Sequence, residues 1–227
     1  MEIDTSGAGA PQAVDQGSIG RSYDRVAATY ATSFVAELRG KPMDRALLGV
    51  VADDVRARRL GPIADLGAGP GQVGAFLAGR GADVVAIDLS PVMASIALGE
   101  HGLPAASGTL TALPFASGSL GGAVAFYCLI HLDDPGLALA AAELARVLAP
   151  GAPLLAAFQI GPAGEPAQHV DCWRGHDVDL DFRRLDPAAV AMALEAGGLT
   201  VEATLERAPY PEETDRRGYL LARNVRG

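Results

Sequence analysis

The chain has 227 residues, of which 49% are hydrophobic, enough for one domain with a full core. Eighteen basic residues stand against 27 acidic ones, a net charge of −9, which argues against nucleic acid or an anionic membrane as the main partner, because phosphate binding needs a basic surface. No apolar run approaches the ~20 residues of a membrane-spanning helix, the first residues lack the basic start and apolar block of a signal peptide, and two cysteines, Cys128 and Cys172, make no disulfide framework. The expectation is a cytoplasmic protein.

Residues 1–17 are Gly, Ala, Pro, Gln and acid without periodicity, and read as a mobile tail ahead of a single domain over 18–227. From Ser18 the pattern turns helical, with Tyr23, Val26, Ala27, Tyr30, Phe34 and Leu38 at spacings of three and four. A second helix over about 43–58 places Leu47, Leu48, Val51 and Val55 on one face. These two helices, 18–58, precede the first strand and are expected to cap a cleft. An alternating core follows: a strand at 63–66, a helix over about 72–79, a strand at 83–88, and a helix with Ser90 as N-cap and Pro91 at its first position. A short strand at 105–107, a loop at 109–118, a strand at 123–127, a long alanine-rich helix at 135–148 and a strand at 154–159 continue the rhythm.

Residues 161–184 break it. The segment is rich in Pro, Gly, His and Asp and holds the only tryptophan, Trp173. A loop of such length inside a compact domain is usually functional or mobile, so it is read as an insertion that lines a binding pocket through Trp173, His176 and Phe182. Asp186-Pro187 then caps a helix ending at 196–198, and 199–207 with 218–223 read as a closing antiparallel hairpin. The expected architecture is α/β: a doubly wound seven-stranded sheet, mostly parallel, with a C-terminal antiparallel hairpin and helices on both faces.

The most informative run is Asp65-Leu66-Gly67-Ala68-Gly69-Pro70-Gly71-Gln72. Its glycines let the backbone turn sharply and leave room for a ligand against the main chain, and the amides of the following helix make the turn electropositive. The dinucleotide pattern G-x-G-x-x-G needs a third glycine where Gln72 stands, so nicotinamide cofactors are not expected. Asp88 ends the next strand, 21 residues after Gly67, in the range of a ribose-binding acid. A carboxylate there can accept both ribose hydroxyls; the plainer alternative is a strand-end turn acid.

Together these motifs resemble those of the class I S-adenosylmethionine-dependent methyltransferases. From about Tyr23 to Arg223 the chain is similar to their ubiquinone/menaquinone-methyltransferase-like branch (methyltransferase domain 11 type). The resemblance implies a Rossmann-like fold, S-adenosyl-L-methionine as cofactor, and a small-molecule methyl acceptor in a biosynthetic or secondary-metabolite pathway. It implies a monomer or homodimer working without nucleic acid or membrane. Gly67, Ala68, Gly69 and Asp88 carry the cofactor motif, followed by Leu89 and Met93. In the leading segment, Ser22-Tyr23-Asp24-Arg25-Val26-Ala27-Ala28-Thr29-Tyr30, the tyrosines Tyr23 and Tyr30 close over the methionine end; their spacing equally suits a buried helix face.

Leu113-Pro114-Phe115 with Ser117-Gly118-Ser119 matches the family's loop before strand four. Upstream the family usually carries Gly-Asp, whose acid accepts a bond from the adenine amino group. Here Gly108 is followed by Thr109, so the Thr109 hydroxyl, or the Leu110 amide with apolar packing, takes that part. Gly121-Gly122 replaces the Phe-Asp of many relatives, a departure that concerns folding more than chemistry. Tyr127-Cys128-Leu129-Ile130-His131-Leu132 matches the exit of strand four. Tyr127 is expected to line the methionine portion largely through its backbone, and His131 to lie near the methyl group as a base or as a histidine satisfied by its neighbours. His176 is the rival base.

His169, Cys172 and His176, near Asp171 and Asp177, are possible zinc ligands. Their spacing matches no strong motif, and the family works mostly without metal, so none is expected. Arg207 and Tyr210 either reach the acceptor pocket or order a Pro-flanked turn, the more usual role. A fold does not fix its chemistry. A cofactor-retaining cyclase or isomerase, and a non-catalytic binding subunit, are therefore the alternatives.

Overall fold

The computed structural model describes residues 15–225. The tail expected over residues 1–17 lies outside them except at its end, where the structure differs from expectation. Asp15 caps helix α1 (Gln16–Phe34), its carboxylate accepting the Gly17 N–H at 2.9 Å, so the helix starts two residues before Ser18. A 3-10 turn (Glu37–Gly40) leads to α2 (Pro42–Arg58). The alternating core then runs β1 (Ile63–Leu66), α3 (Gln72–Ala78), β2 (Val84–Asp88), α4 (Pro91–His101), β3 (Ala105–Ser107), β4 (Gly122–Phe126), α5 (Asp134–Val147) and β5 (Pro153–Gln159). Ser90 caps α4 as read from the sequence, accepting the Met93 N–H at 3.0 Å. After β6 (Gln168–Trp173) and β7 (His176–Phe182) come α6 (Pro187–Gly197), β8 (Leu199–Arg207) and β9 (Arg217–Asn224).

Seven strands form one sheet in the order β3-β2-β1-β4-β5-β9-β8. The first five run parallel, while β9 is antiparallel to both β5 and β8. Each central strand sends alternate side chains to opposite layers, as the period of two requires. Ala64, Leu66, Ala123, Ala125, Leu154 and Ala156 pack with α5 and α6, whereas Ile63, Val124, Phe126, Leu155 and Ala157 pack with α2 and α3. Helices therefore cover both faces. Gly121 has a packing role: a Cβ there would lie 2.5 Å from the Leu60 carbonyl carbon, so only glycine lets the turn before β1 cross the entry to β4.

The order of strands reverses at β1, between β2 and β4. In open parallel sheets this switch point leaves a crevice at the carboxyl ends of the strands, which is where the site lies.

Residues 161–184 are not an irregular loop. They contain β6 and β7, a separate antiparallel hairpin turned by Arg174 and Gly175, both at positive φ (49° and 83°) as a two-residue I′ connection requires. The sequence of β7, His-Asp-Val-Asp-Leu-Asp-Phe, alternates strictly between apolar and acidic at its core. That is a half-buried strand, obscured by the acid content. Val178 and Leu180 pack against Ile19 and Val26 of α1, so the hairpin and α1 form one cover.

Candidate active site

A cavity of about 590 Å³ opens where β1, β2 and β4 end, beneath α1 and the β6–β7 hairpin. Gly67 and Gly69 shape its mouth. Both have positive φ (63° and 54°). A Cβ on Gly67 would stand 2.3 Å from that of Cys128, so glycine lets the exits of β1 and β4 touch. A Cβ on Gly69 would project into the cleft, 3.8 Å from the Tyr30 ring. The main chain is thus bare on the ligand side. Behind the turn, buried Asp65 accepts the Gly74 N–H at 2.7 Å and pins the start of α3. Burial lifts its carboxyl to about 7, against the pull of that bond.

Asp88 is 8% exposed. One oxygen accepts the Gly69 N–H at 2.7 Å and the other the Ser90 N–H at 2.8 Å. Burial pushes it up to about 6, opposed by the Ser90 and Gly69 amides. A carboxylate has about four acceptor positions, so capacity remains for hydroxyl donors from the cavity. Ala68, Leu89, Met93, Thr109 and Leu110 line the same end. The Thr109 hydroxyl is engaged by the Gln16 side-chain oxygen and lies 3.0 Å from the Thr111 hydroxyl. Gln16 belongs to the stretch read as tail, where no periodic signal marked it.

The opposite wall is aromatic. Tyr23 and Tyr30 meet edge to face at 6.1 Å, and Tyr30 lies 5.7 Å from Trp173. Against this wall stands His131, on a 3-10 turn (Leu129–His131) directly after β4. Its Nδ1 lies 2.9 Å from the Asp181 main-chain carbonyl and its Nε2 2.7 Å from the Tyr23 hydroxyl. A carbonyl only accepts, so Nδ1 carries the proton and Nε2 accepts from the Tyr23 O–H. Burial lowers the His131 pKa, which leaves the imidazole neutral near pH 7. Burial, with the Asp88 carboxylate nearby, raises Tyr23 well above its ordinary value.

Tyr127 departs from expectation. β4 ends at Phe126, and Tyr127 sits at φ +58°. Its part is not only main-chain: its hydroxyl donates to Asp44 at 3.1 Å. Fully buried Asp44 also accepts from the Tyr219 hydroxyl at 3.1 Å and faces Arg207 at 3.4 Å. Burial works to raise Glu213, but bonds from Arg207 and the Tyr210 amide hold it at about 2. Lys41 bridges Glu37 and Glu213. Arg207 and Tyr210 order this floor and do not line the cavity.

His176 is not brought to the cavity. The turn places it opposite Trp173, its Nε2 meets the Thr29 hydroxyl at 3.0 Å, and it borders a separate outer hollow with Arg25 and Asp179. Of β7, only Leu180 and Phe182 reach the main cavity. Gln159 and Arg217 are among the cavity residues that escaped the sequence reading, and Gln72 was read only as the end of the glycine motif. Among the described residues, Gln72 Oε1, Gln159 Oε1 and Arg217 Nε are buried without a hydrogen-bond partner. Also among the described residues, no group of three or more His, Cys, Asp or Glu could hold a metal ion; His169 instead meets Asp181 at 2.9 Å. No helix there is long and apolar enough to cross a membrane.

Residues 63–151, which carry the glycine turn, Asp88, Tyr127 and His131, match the family model described as a methyltransferase domain. No curated protein matches the chain. Among solved structures, an S-adenosylmethionine-dependent methyltransferase from Methanosarcina mazei is 17% identical, over 72% of this chain and 92% of that one, with a TM-score of 0.64. The Burkholderia thailandensis 1,6-didemethyltoxoflavin-N1-methyltransferase, solved with its substrate and S-adenosylhomocysteine, is 19% identical over 100% and 99%, with a TM-score of 0.60. The [4+2]-cyclase SpnF is 20% identical over 96% and 99%, with a TM-score of 0.64. At such identities the likeness is one of fold. Residues 63–151 thus match a methyltransferase domain, and the described chain has the Rossmann-like methyltransferase fold.

Proposed function

We propose that this protein transfers a methyl group from S-adenosyl-L-methionine to a small molecule. The observation that carries this reading is the pairing of Asp88 with the Gly69 amide at the switch point of the sheet, inside the segment matched by a methyltransferase domain. The residues present fit the cofactor. Asp88 would offer acceptors to the ribose hydroxyls, and Leu89, Met93, Thr109 and Leu110 would line the adenine. Bare main chain at Gly67–Gly69 would receive the methionine end, where Glu37 and the unpartnered Gln72 oxygen would offer acceptors to an ammonium. The Burkholderia structure with bound S-adenosylhomocysteine supports this assignment by analogy of fold. The acceptor is small because one cavity of about 590 Å³ serves both ligands.

When bound, the cofactor supplies an already activated methyl group on a sulfonium, transferred by in-line displacement. The chain's own work is to position, to exclude water and to move a proton. Tyr23, Tyr30, Trp173 and Phe182 wall off solvent. Neutral His131 is the base. An acceptor proton passes to the Tyr23 oxygen as the Tyr23 proton moves to His131 Nε2, and the Asp181 carbonyl holds the imidazolium through Nδ1–H. In this reading the domain begins at the Asp15 cap rather than at 18, the protein works in the cytoplasm as a monomer or homodimer, and its pathway is biosynthetic. The Tyr23 to Tyr30 segment supports the ubiquinone/menaquinone-methyltransferase-like branch.

A second reading, a non-methylating catalyst that retains the cofactor, draws support from the cyclase that shares the fold over nearly the whole chain. Incubation with methyl-labelled cofactor and a panel of phenols, amines and thiols separates the two. Labelled product with release of S-adenosylhomocysteine is expected. Tight cofactor binding with no release across the panel would favour the second reading.

A further inference from the structure

Two cavity residues have no assigned task and carry unmet hydrogen-bonding groups. Gln159 ends β5 and Arg217 begins β9, and the two are direct cross-strand partners. Both line the cavity. Gln159 Oε1 is a buried acceptor without a donor, and Arg217 Nε a buried donor without an acceptor, among the described residues. Arg217 is 7% exposed, with Nη1 donating to the Asp215 carbonyl at 2.6 Å. Leaving such atoms unpaired is unfavourable, and they do not pair with each other.

Charge around the pair is already balanced. Arg217 Nε lies 3.6 Å from Glu213, Lys41 bridges Glu37 and Glu213, and Arg207 faces Asp44 and Glu213. Beside the pair, three cations thus meet three carboxylates, Glu37, Asp44 and Glu213, whereas Arg174, another cation lining the cavity, lies 5.1 Å over the Trp173 ring on the hairpin. Directly opposed strand residues hold their Cβ atoms ~4.5–5.5 Å apart on one face of the sheet, so both side chains can converge on one edge of a flat molecule.

We infer that Gln159 and Arg217 form the specificity element for the methyl acceptor, and that they read a neutral edge bearing a hydrogen-bond donor beside an acceptor, as in a lactam or an enol next to a carbonyl. The ligand's N–H or O–H donates to Gln159 Oε1, and its carbonyl accepts from Arg217 Nε. This rests on the proposed methyl transfer for the name of the ligand, and not for the recognition itself.

The test is calorimetric titration of three flat probes: quinolin-2(1H)-one, with both donor and acceptor; 1-methylquinolin-2-one, with the acceptor alone; and quinoline-2-carboxylate, an anion. Each is titrated into protein saturated with S-adenosylhomocysteine and into cofactor-free protein. The lactam is expected to bind ~10-fold or more tighter than its N-methyl form, since a buried partner is left unmet in the latter. Gln159→Met should abolish that preference while keeping or raising the Tm, because it removes an unpaired buried group. Arg217→Met should weaken both carbonyl probes. Tightest binding by the carboxylate, equal or absent binding of all three, or a Tm loss of several degrees in Gln159→Met would each overturn the inference. Lactam preference in cofactor-free protein that binds no S-adenosylhomocysteine would sink the proposed function and leave the pair standing. Cofactor binding without lactam preference would do the reverse.

Discussion

The two ends of the cavity are built on different principles. At the β1–β2 end, recognition is by main chain: glycines without side chains, amides, and one carboxylate held by two of them. At the far end it is by side chains that come from distant parts of the chain: Tyr23 and His131 are 108 residues apart, and Asp44 and Tyr219 are 175 apart. The first end suits a ligand that never varies. The second is built of side chains, and it lies largely outside the segment matched by the methyltransferase domain.

The sharpest way to break this contrast is at the Tyr23–His131 pair. His131→Ala is expected to lower turnover by ~10²–10⁴-fold with little change in cofactor affinity, as the loss of a positioned base does. Tyr23→Phe should fall with it, since the proposed proton route runs through its hydroxyl, which meets His131. Single-turnover kinetics beside calorimetry checks both. Loss of cofactor affinity equal to the loss of turnover would merge the two ends into one.

The mirror experiment is Asp88→Ala. A bond to a charged acceptor is worth ~1.5–3 kcal/mol, so affinity for S-adenosylhomocysteine should drop by ~10–100-fold, with turnover at saturating cofactor largely kept. In the wild type, affinity should weaken as pH falls below about 6, where Asp88 takes up a proton. A flat pH profile would remove the carboxylate from ribose recognition.

A smaller effect concerns the cover. Residues 16–34 and 168–182 should show several-fold slower amide exchange with S-adenosylhomocysteine bound, because lids close over their ligands. Equal exchange in both states would make the cover a fixed wall.

The smallest is a stability effect at Asp65. Its folded pKa of about 7 lies above the unfolded value of ~3.9. The folded chain binds that proton more tightly, so its stabilisation is whole below pH 4 and is lost as pH rises through 7. Asp65→Asn keeps an acceptor for the Gly74 amide and removes the dependence. Its Tm relative to wild type should therefore rise by a few degrees from pH 5 to pH 8. A constant difference would show that Asp65 does not titrate in this range.

The same contrast explains what the sequence disclosed. Glycines at Gly67 and Gly69 and an acid after an apolar run are local patterns, and β1 falls where its apolar run lies. Caps at Ser90 and Asp186 are equally local. His131 was legible from its place after β4, but not its tie to Tyr23, which needs α1 to fold over the strand ends. Gln159 and Arg217 look like ordinary strand-end polars until β9 is laid beside β5. Hairpin β6–β7 was missed because its acids face solvent and dilute the apolar alternation. His176, placed in the right segment, sits at the turn, beyond the reach of the cleft.

The place of β9 has a consequence for how the molecule is made. The last strand of the chain does not close an edge; it slides between β5 and β8. While the ribosome is still at work, β5 has a bare flank, and Tyr127 has Asp44 but not Tyr219 or Arg217 beside it. A nascent chain can present the glycine turn and Asp88 long before it can present the far wall. The far wall is complete only once β9 has inserted between β5 and β8.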